Sequence, residues 1–575
     1  MKPQKFSRIT RRKFLRGGLS ALALGVLAKK GFGISRAPQS IHCAPSGALG
    51  IDATTPLLEI PLSPTSKIVE GIPFAPWFFG DDFDNDHIPF HFIPDYGQFP
   101  EPAEDVDVAI VGGGLSGLTS AYLLKDKNVV LFELRDRFGG NAQGEKWNGI
   151  NYSLGSAYFI TPDHGSFLEH FYKELGLDHL KRVNAPPDPM ELNNLILDDF
   201  WSGAEFSDEE RHAFTRYAEV VTDVWDNQYP DIPLSSDPAE AARVRALDLK
   251  TFREDVEERM GIPMTPLLKA GVQSYFFSSF NAPMEEISAA GGWNFVAAEE
   301  GGRWVLPGGN ARMVYEIWRK LIDLDHRVGP QCRPHFLRGR CRVIDVRPRG
   351  ERLQVTYYDA AQTLRAITAR FVIMAGSKHI AKYVLFDLEH WDKLQAMNHL
   401  DTLPYLVVNV LLNAPIERDF YDCFLLGDGI HYPMDGEHLE QHPIVTDMLR
   451  GDYSNEGPRS VLTLYWPLSW ASARFTLLSN NPWDHYVRLL LPQLRHMLSL
   501  LDVQESDIRQ VRMTRWGHAM PIAKPGLIAN GILQTAARPI DNKVFFVNQD
   551  NWALPAVENS VLDAKSVTDQ IRRLL

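Results

Sequence analysis

Between residues 106 and 141 the chain runs from an apolar strand into a glycine turn, a helix, a second strand and an acid, and few folds accommodate that succession. Val106-Asp107-Val108-Ala109-Ile110-Val111 is apolar almost throughout, as a parallel strand covered on both faces must be. Gly112, Gly114 and Gly117 fill a G-x-G-x-x-G frame, with Ser116 inside the same turn. Gly112 allows the tight turn, Gly114 lets the backbone approach a pyrophosphate, and Gly117 lets the helix pack on the strand. Free N–H groups at the helix start, together with the helix dipole, favour an anion there. The helix is expected from Leu115 to about Lys125 and the second strand over 128–132, ending at Glu133. That acid stands where a ribose-hydroxyl acceptor is expected after the first glycine of the frame. The unit is a dinucleotide site of an α/β protein.

A chain of 575 residues exceeds one compact core, so two or three domains are expected. From residue 106 the pattern alternates strand and helix. It turns mostly helical over about 163–300 and returns to strands over 341–346, 353–358 and 371–375. Further strands are expected over 404–412 and 460–465, an amphipathic helix over about 482–501, and a strand then a helix over 544–547 and 556–574. The nucleotide-binding half is thus assembled from separated pieces of chain. Residues 49–104 are rich in proline and aromatics without sustained period, and read as an extended arm wrapping the body. Within it, Asp81 to Asp86 suggests a calcium loop. Counted from Asp82, however, the sixth and twelfth positions are His87 and Ile93 rather than Gly and Glu, so a solvated loop is expected.

Glu133-Leu134-Arg135-Asp136-Arg137-Phe138-Gly139-Gly140-Asn141 resembles the E-x-R-x-R-x-G-G-R pattern of the flavin amine oxidase and phytoene desaturase superfamily, with Asn141 in place of the last Arg. The likeness implies FAD. Glu133 would take the adenosine ribose, Arg135 would lie by the nucleotide, and Gly139, Gly140 and Asn141 would pass close to the cofactor. Gly155, Ser156 and Ala157 resemble the segment beside the flavin ring, and Pro307-Gly308-Gly309 the point where a helix returns to the nucleotide domain. Val343 matches the position whose backbone meets adenine. The stretch from Val544 to Asp550, then Glu558 and Asn559, resembles the terminal flavin motif. There Asp550 would hold the ribityl–phosphate region, and the last helix would aim its N-terminus at the flavin, where it stabilises negative charge. No Cys lies in that motif, so attachment is expected to be non-covalent.

The implied architecture is a two-domain α/β fold of the amine oxidase type: a Rossmann-type FAD-binding domain and a mixed α+β substrate domain. The expected boundaries are a signal peptide over 1–48, the arm over 49–103, FAD-binding parts over 104–190, 296–378 and 511–575, and substrate parts over 191–295 and 379–510.

The chemistry beyond the flavin is left open. The resemblance puts Val407 where amine oxidases often carry a Lys, and Ala556 where they carry an aromatic. The candidates to act instead are His518, which titrates near neutrality, Trp552 as a replacement aromatic wall, and Lys524. Three readings follow. The first is an exported FAD-dependent oxidoreductase of an amine or polyamine, similar to spermidine-dehydrogenase-like proteins, working by hydride transfer to flavin N5. The second is a desaturase or isomerase of an apolar polyene or terpenoid. The third is a non-catalytic flavin-binding protein. A small carboxylate-lined pocket would favour the first, and an apolar tunnel the second. The electron acceptor is oxygen, a quinone or a cytochrome.

Thr10-Arg11-Arg12-Lys13-Phe14-Leu15-Arg16, followed by an apolar run over 19–28, resembles a twin-arginine export signal. The run is too short to span a bilayer. This implies passage through the twin-arginine translocase and a periplasmic or exported destination. Residues 1–48 hold ten Lys plus Arg and no acid, so the net charge of −13 becomes −23 for the rest (−13 minus 10). Such a surface argues against nucleic acid. The cysteines, Cys43, Cys332, Cys341 and Cys423, fit no metal spacing, and no metal is expected. Cys332 and Cys341 either bridge or stay reduced and buried.

Overall fold

The computed structural model describes residues 55–82, 99–185, 187–328, 335–385, 390–427, 445–455, 457–468, 476–477 and 482–575. The export signal, most of the expected calcium-like loop, and Cys43 and Cys332 lie outside these residues.

Two sheets organise the chain. The first has seven strands. Asp105–Val111 lies parallel between Val129–Phe132 and Leu364–Met374, with Val108 level with Val129 and Phe371. Arg342–Arg349 and Arg352–Tyr358 form a hairpin that continues antiparallel into Leu364–Met374. That last strand is eleven residues long and divides one edge between two partners. Its first half pairs with Arg352–Tyr358, and its end pairs in parallel with Val544–Phe546. Pieces from opposite ends of the described chain therefore close one sheet. The helices Leu115–Leu123 and Val557–Leu574 pack on one another beside it, burying Leu118, Ala121, Val561 and Ala564.

The second sheet has ten strands. At its centre is Thr402–Leu412, buried at every residue and flanked antiparallel by Ser460–Pro467 and Ile508–Pro521. Alternation sorts its side chains. Leu406, Val408, Val410 and Leu412 pack with Tyr486, Leu490, Leu494 and Met497 of the helix Trp483–Leu500. Tyr405, Val407 and Leu411 pack on the other side with Tyr152, Leu154 and Trp516. Beyond Ser460–Pro467 the sheet adds Asp447–Arg450, Asp422–Leu425, Met190–Leu192 and Leu195–Leu197. The region expected to be mostly helical contains the helices Asp208–Asn227, Pro238–Asp248, Phe252–Met260, Pro266–Phe280 and Ala289–Ala298. The two strands from 190 to 197 interrupt the expectation because each is too short to display a period.

The described part of the arm is extended and contributes strands. Leu57–Glu59 pairs with Gly144–Trp147, while Ile72–Phe74 and Phe79–Gly80 join the free edge of Ile508–Pro521. Ile72 and Phe74 are fully buried there. Asp81, expected in a solvated loop, is instead paired with Arg135, and its carboxylate accepts from the Gly517 N–H. These two partners outweigh the local polarity that made the segment look like open loop.

Candidate active site

The cradle begins where two glycine turns touch. Gly112 has φ +113°, and its N–H donates to Phe132 O at 2.8 Å. A Cβ on Gly117 would lie 1.8 Å from Gly112 O, so no side chain fits. The Gly139 N–H donates to Gly113 O at 2.9 Å, and a Cβ on Gly140 would lie 3.1 Å from Gly114 Cα. The carboxylate of Glu133 folds back on this turn, accepting from Gly113 N–H at 2.7 Å and Arg135 N–H at 2.9 Å. The helix Leu115–Leu123 starts at Gly114 with no capping side chain and no acid in its first turn, which leaves its first N–H groups for an external anion. Ser116 is buried in that turn. Arg135 lies over the Trp516 ring at 5.9 Å. Val343 is buried in its strand, beside a register slip at Asp345.

The other motif residues converge on a cavity of about 260 Å³. Gly155 lies so close to Asn141 that a Cβ would be 2.1 Å from its carbonyl. Asn310 Nδ2 donates to Ser156 Oγ at 2.6 Å, and a Cβ on Gly309 would lie 2.8 Å from Ala157 Cα. Glu558 Oε1 accepts from Ile160 N–H at 2.7 Å. Asp550 is buried and accepts from Lys378 N–H at 2.9 Å. Asn141, Gly155, Ser156, Ala157, Glu558 and Asn559 all line the cavity, and the helix Val557–Leu574 begins there without a capping side chain.

Further lining comes from the second sheet. Val407, Tyr465, Asp447 and Phe424 stand in register across four adjacent strands. Residues in register share a face. Asp422, two residues before Phe424, lies on that face too. Tyr405 and Tyr465 meet edge-on, with centroids 5.7 Å apart, and Tyr465 Oη donates to Gly155 O at 2.9 Å, tying wall to cradle. Behind them lies buried charge. Arg303, 1% exposed, is bound by Asp188 at 2.9 Å and by Glu299. Tyr275 donates to Asp188 at 3.0 Å and Tyr158 to Glu299 at 3.1 Å. Burial, then the neighbouring charges of Asp447 and Asp188, pushes the Asp422 carboxyl well above its ordinary range. Burial raises Glu299 also, and lifts Asp447 to about 7. Among the described residues lining the cavity there is no Lys, Arg or His, whereas Asp163, Glu299, Asp422 and Glu558 do line it.

The three residues expected to act on substrate are not brought to this cavity. His518 Nδ1 lies 2.7 Å from Thr402 Oγ1, and its ring stacks on His379 at 4.8 Å. The Trp552 indole N–H donates to Asp563 at 2.7 Å. Lys524 is half exposed and paired with Asp401. Trp516, Ala519 and Met520, neighbours of His518, do line the cavity. Sequence reasoning missed Asp422, Phe424, Tyr275, Glu299 and Arg303. One signal was present: an acid at 422 inside the apolar run from Tyr421 to Leu426.

Comparison with known proteins agrees with this geometry. The family model described as flavin containing amine oxidoreductase matches residues 115–559. Amine oxidase [flavin-containing] B of Homo sapiens is 32% identical over 142 residues, covering 21% of this chain and 27% of that protein. Oxidoreductase PigB of Serratia sp. is 35% identical over 94 residues, covering 16% and 14%. The chain thus spans about a quarter or less of the length of these curated relatives. Among solved structures, a putrescine oxidase bound to putrescine aligns with TM-score 0.59 at 16% identity, over 82% of this chain and 99% of that one. A cyclohexylamine oxidase from Brevibacterium oxydans aligns with TM-score 0.57 at 19% identity, over the same shares. These likenesses establish the fold. FAD is the cofactor of the cradle, and the residues present fit it. Side chains are excluded where the glycine turns meet, and Asn310 Oδ1 and Asn559 Nδ2, in the cavity wall, are buried without hydrogen-bond partners among the described residues.

Proposed function

The chain belongs to the flavin-containing amine oxidoreductase family, and we propose that it oxidises an amine or polyamine, exported through a twin-arginine route. The observation that carries this reading is that acids and aromatic rings line the same cavity as the motif residues Asn141, Gly155 and Glu558. Carboxylates removed from water favour a cation, and aromatic faces attract one. A polyene would leave the same acids buried beside hydrocarbon, at a cost of several kcal/mol.

The glycine turns and the free N–H groups of the helix Leu115–Leu123 would hold FAD. The segment from Gly155 to Ala157 and the start of the helix Val557–Leu574, which line the cavity, would hold its ring portion. When bound, FAD supplies a two-electron acceptor, and the substrate carbon beside nitrogen gives up a hydride. The chain's own residues do the rest. Tyr405 and Tyr465 wall the space and exclude water. Tyr465 is tied to the cradle at its hydroxyl through its bond to Gly155. The buried acids draw the cation in and orient it. Steering of substrate by the acidic surface complements this.

The test is anaerobic mixing of the purified protein with amines, polyamines and apolar polyenes, watching the oxidised flavin band. Bleaching by amines is expected; bleaching by polyenes alone, or by nothing, sinks the reading. Export is tested separately: replacing Arg11 and Arg12 by Lys is expected to retain the protein in the cytoplasm, and unchanged fractionation would overturn it.

A further inference from the structure

Four acids crowd the buried wall at the cavity, Glu299 and Asp422 lining it, and Arg303 pairs with two of them. Arg303 is committed by hydrogen bonds to Asp188 and Glu299, which the Tyr275 and Tyr158 hydroxyls also satisfy. Asp422 is different. It is 3% exposed, it lines the cavity, and its Oδ1 has no hydrogen-bond partner among the described residues. Asp447, on the adjacent strand, is fully buried with Oδ2 equally without one. A buried carboxyl in that condition needs either a retained proton or a cation from outside the chain. The elevated proton affinity of both groups fits the first answer for the resting protein.

Position decides what the cation is. Tyr465 reaches the flavin segment, since its hydroxyl bonds Gly155. Asp422 lies two strands further along the sheet and two residues out of register with Tyr465, roughly 12 Å away at the usual strand spacing of ~4.8 Å and rise of ~3.4 Å per residue. An amine nitrogen reacting at the flavin does not extend that far. A second ammonium several carbons along the same chain does. Between the two lies apolar and aromatic lining: Phe424 and Tyr275 pack with ring centroids 4.1 Å apart, a surface for methylenes and for a cation's approach.

We propose that Asp422 is the specificity-determining residue for a second ammonium group, so that the preferred substrates are α,ω-diamines and polyamines rather than monoamines. This rests on the amine reading above. Binding of the dication releases the Asp422 proton to water and pairs the carboxylate so formed. A charge-assisted hydrogen bond of this kind is worth roughly 10- to 100-fold in affinity.

The experiment is flavin reduction, followed anaerobically by stopped flow, with butylamine and a ladder of diamines from 1,2-diaminoethane to 1,8-diaminooctane. In the wild-type holoenzyme the concentration for half-maximal reduction rate should be about 10- to 100-fold lower for the best diamine than for butylamine, with an optimum at four carbons or more. Asp422→Asn should erase that advantage, bringing the best diamine to within a few-fold of butylamine in the same variant. Asp422→Glu should keep it and move the optimum to a shorter chain. Equal concentrations for monoamine and diamine in the wild type overturn the proposal while leaving the amine reading intact. So does an Asn variant that loses both substrates equally. If no amine reduces the flavin, both readings fall together. Should the Asn variant fail to fold, the wild-type ladder and the Glu variant's shift decide the matter alone.

Discussion

The cradle, as the floor of the site, is made of backbone, and the wall of the cavity is made of side chains. The floor draws on the turn from Gly112 to Gly117 and the stretch from Glu133 to Asn141, neighbours in the chain, and it works by what is missing: a Cβ at Gly117 or Gly155 would collide with a carbonyl. The wall draws on residues from 158 to 465, on two helices and several strands. It works by what is added: phenol rings, and carboxyls held out of water. A backbone cradle tolerates little change at its glycines and is indifferent to substrate. A side-chain wall can exchange its residues one at a time, which is how one fold serves different substrates.

The largest effect is expected at the wall. Arg303→Leu leaves Asp188 and Glu299 buried without their cation, a loss of about 3–5 kcal/mol. The melting temperature should fall by many degrees, and flavin retention should fail only as the fold fails. If the variant melts like the wild type, the charge cluster is not what holds the wall. Next is the floor. Gly117→Ala forces a Cβ against the Gly112 carbonyl, an overpacking cost of about 1–3 kcal/mol. Here flavin should be lost from a chain that still folds, read as the ratio of flavin to protein absorbance. Full flavin content would contradict the tight turn.

A smaller effect separates the two regions by pH. Asp447 is raised from the ordinary carboxyl range to about 7. Between about pH 4 and 7 the folded protein therefore keeps a proton that the unfolded chain has released, and stability falls as pH rises through that window. The slope is at most about 1.4 kcal/mol per pH unit for one proton. In Asp447→Asn the melting temperature should lose part of this dependence, and a parallel pH profile would exclude Asp447 as its source. The smallest effect is expected at His518. It contacts Thr402 and His379 rather than the cavity, so His518→Ala should alter the rate of flavin reduction by only a few-fold, whereas a loss of about 10²-fold or more would restore it as an acid–base group.

The same contrast explains what could be read in the sequence. The strands at 105–111, 129–132 and 544–546 were legible, because a parallel strand covered on both faces is a run of apolar residues and the glycines mark the turn. The helix Trp483–Leu500 was legible through its apolar stripe. Strands as short as Asp422–Leu425 and Met190–Leu192 carry no period. Titration and nearness to the flavin motifs point to His518, Lys524 and Trp552, and both criteria are blind to where a strand's register puts a side chain.

The cofactor and the nucleotide sheet were already written in the order of the residues, since both depend on local features: glycines that admit a backbone conformation, and apolar runs that demand burial. The wall from the second sheet was settled by assembly. Val407, Tyr465, Asp447 and Phe424 become one surface through the pairing of four separate strands between Thr402 and Pro467, and Asp422 acquires its meaning from lying beside an Arg303 that is already taken. Burial and pairing are properties of the assembled sheet, and no residue carries them alone.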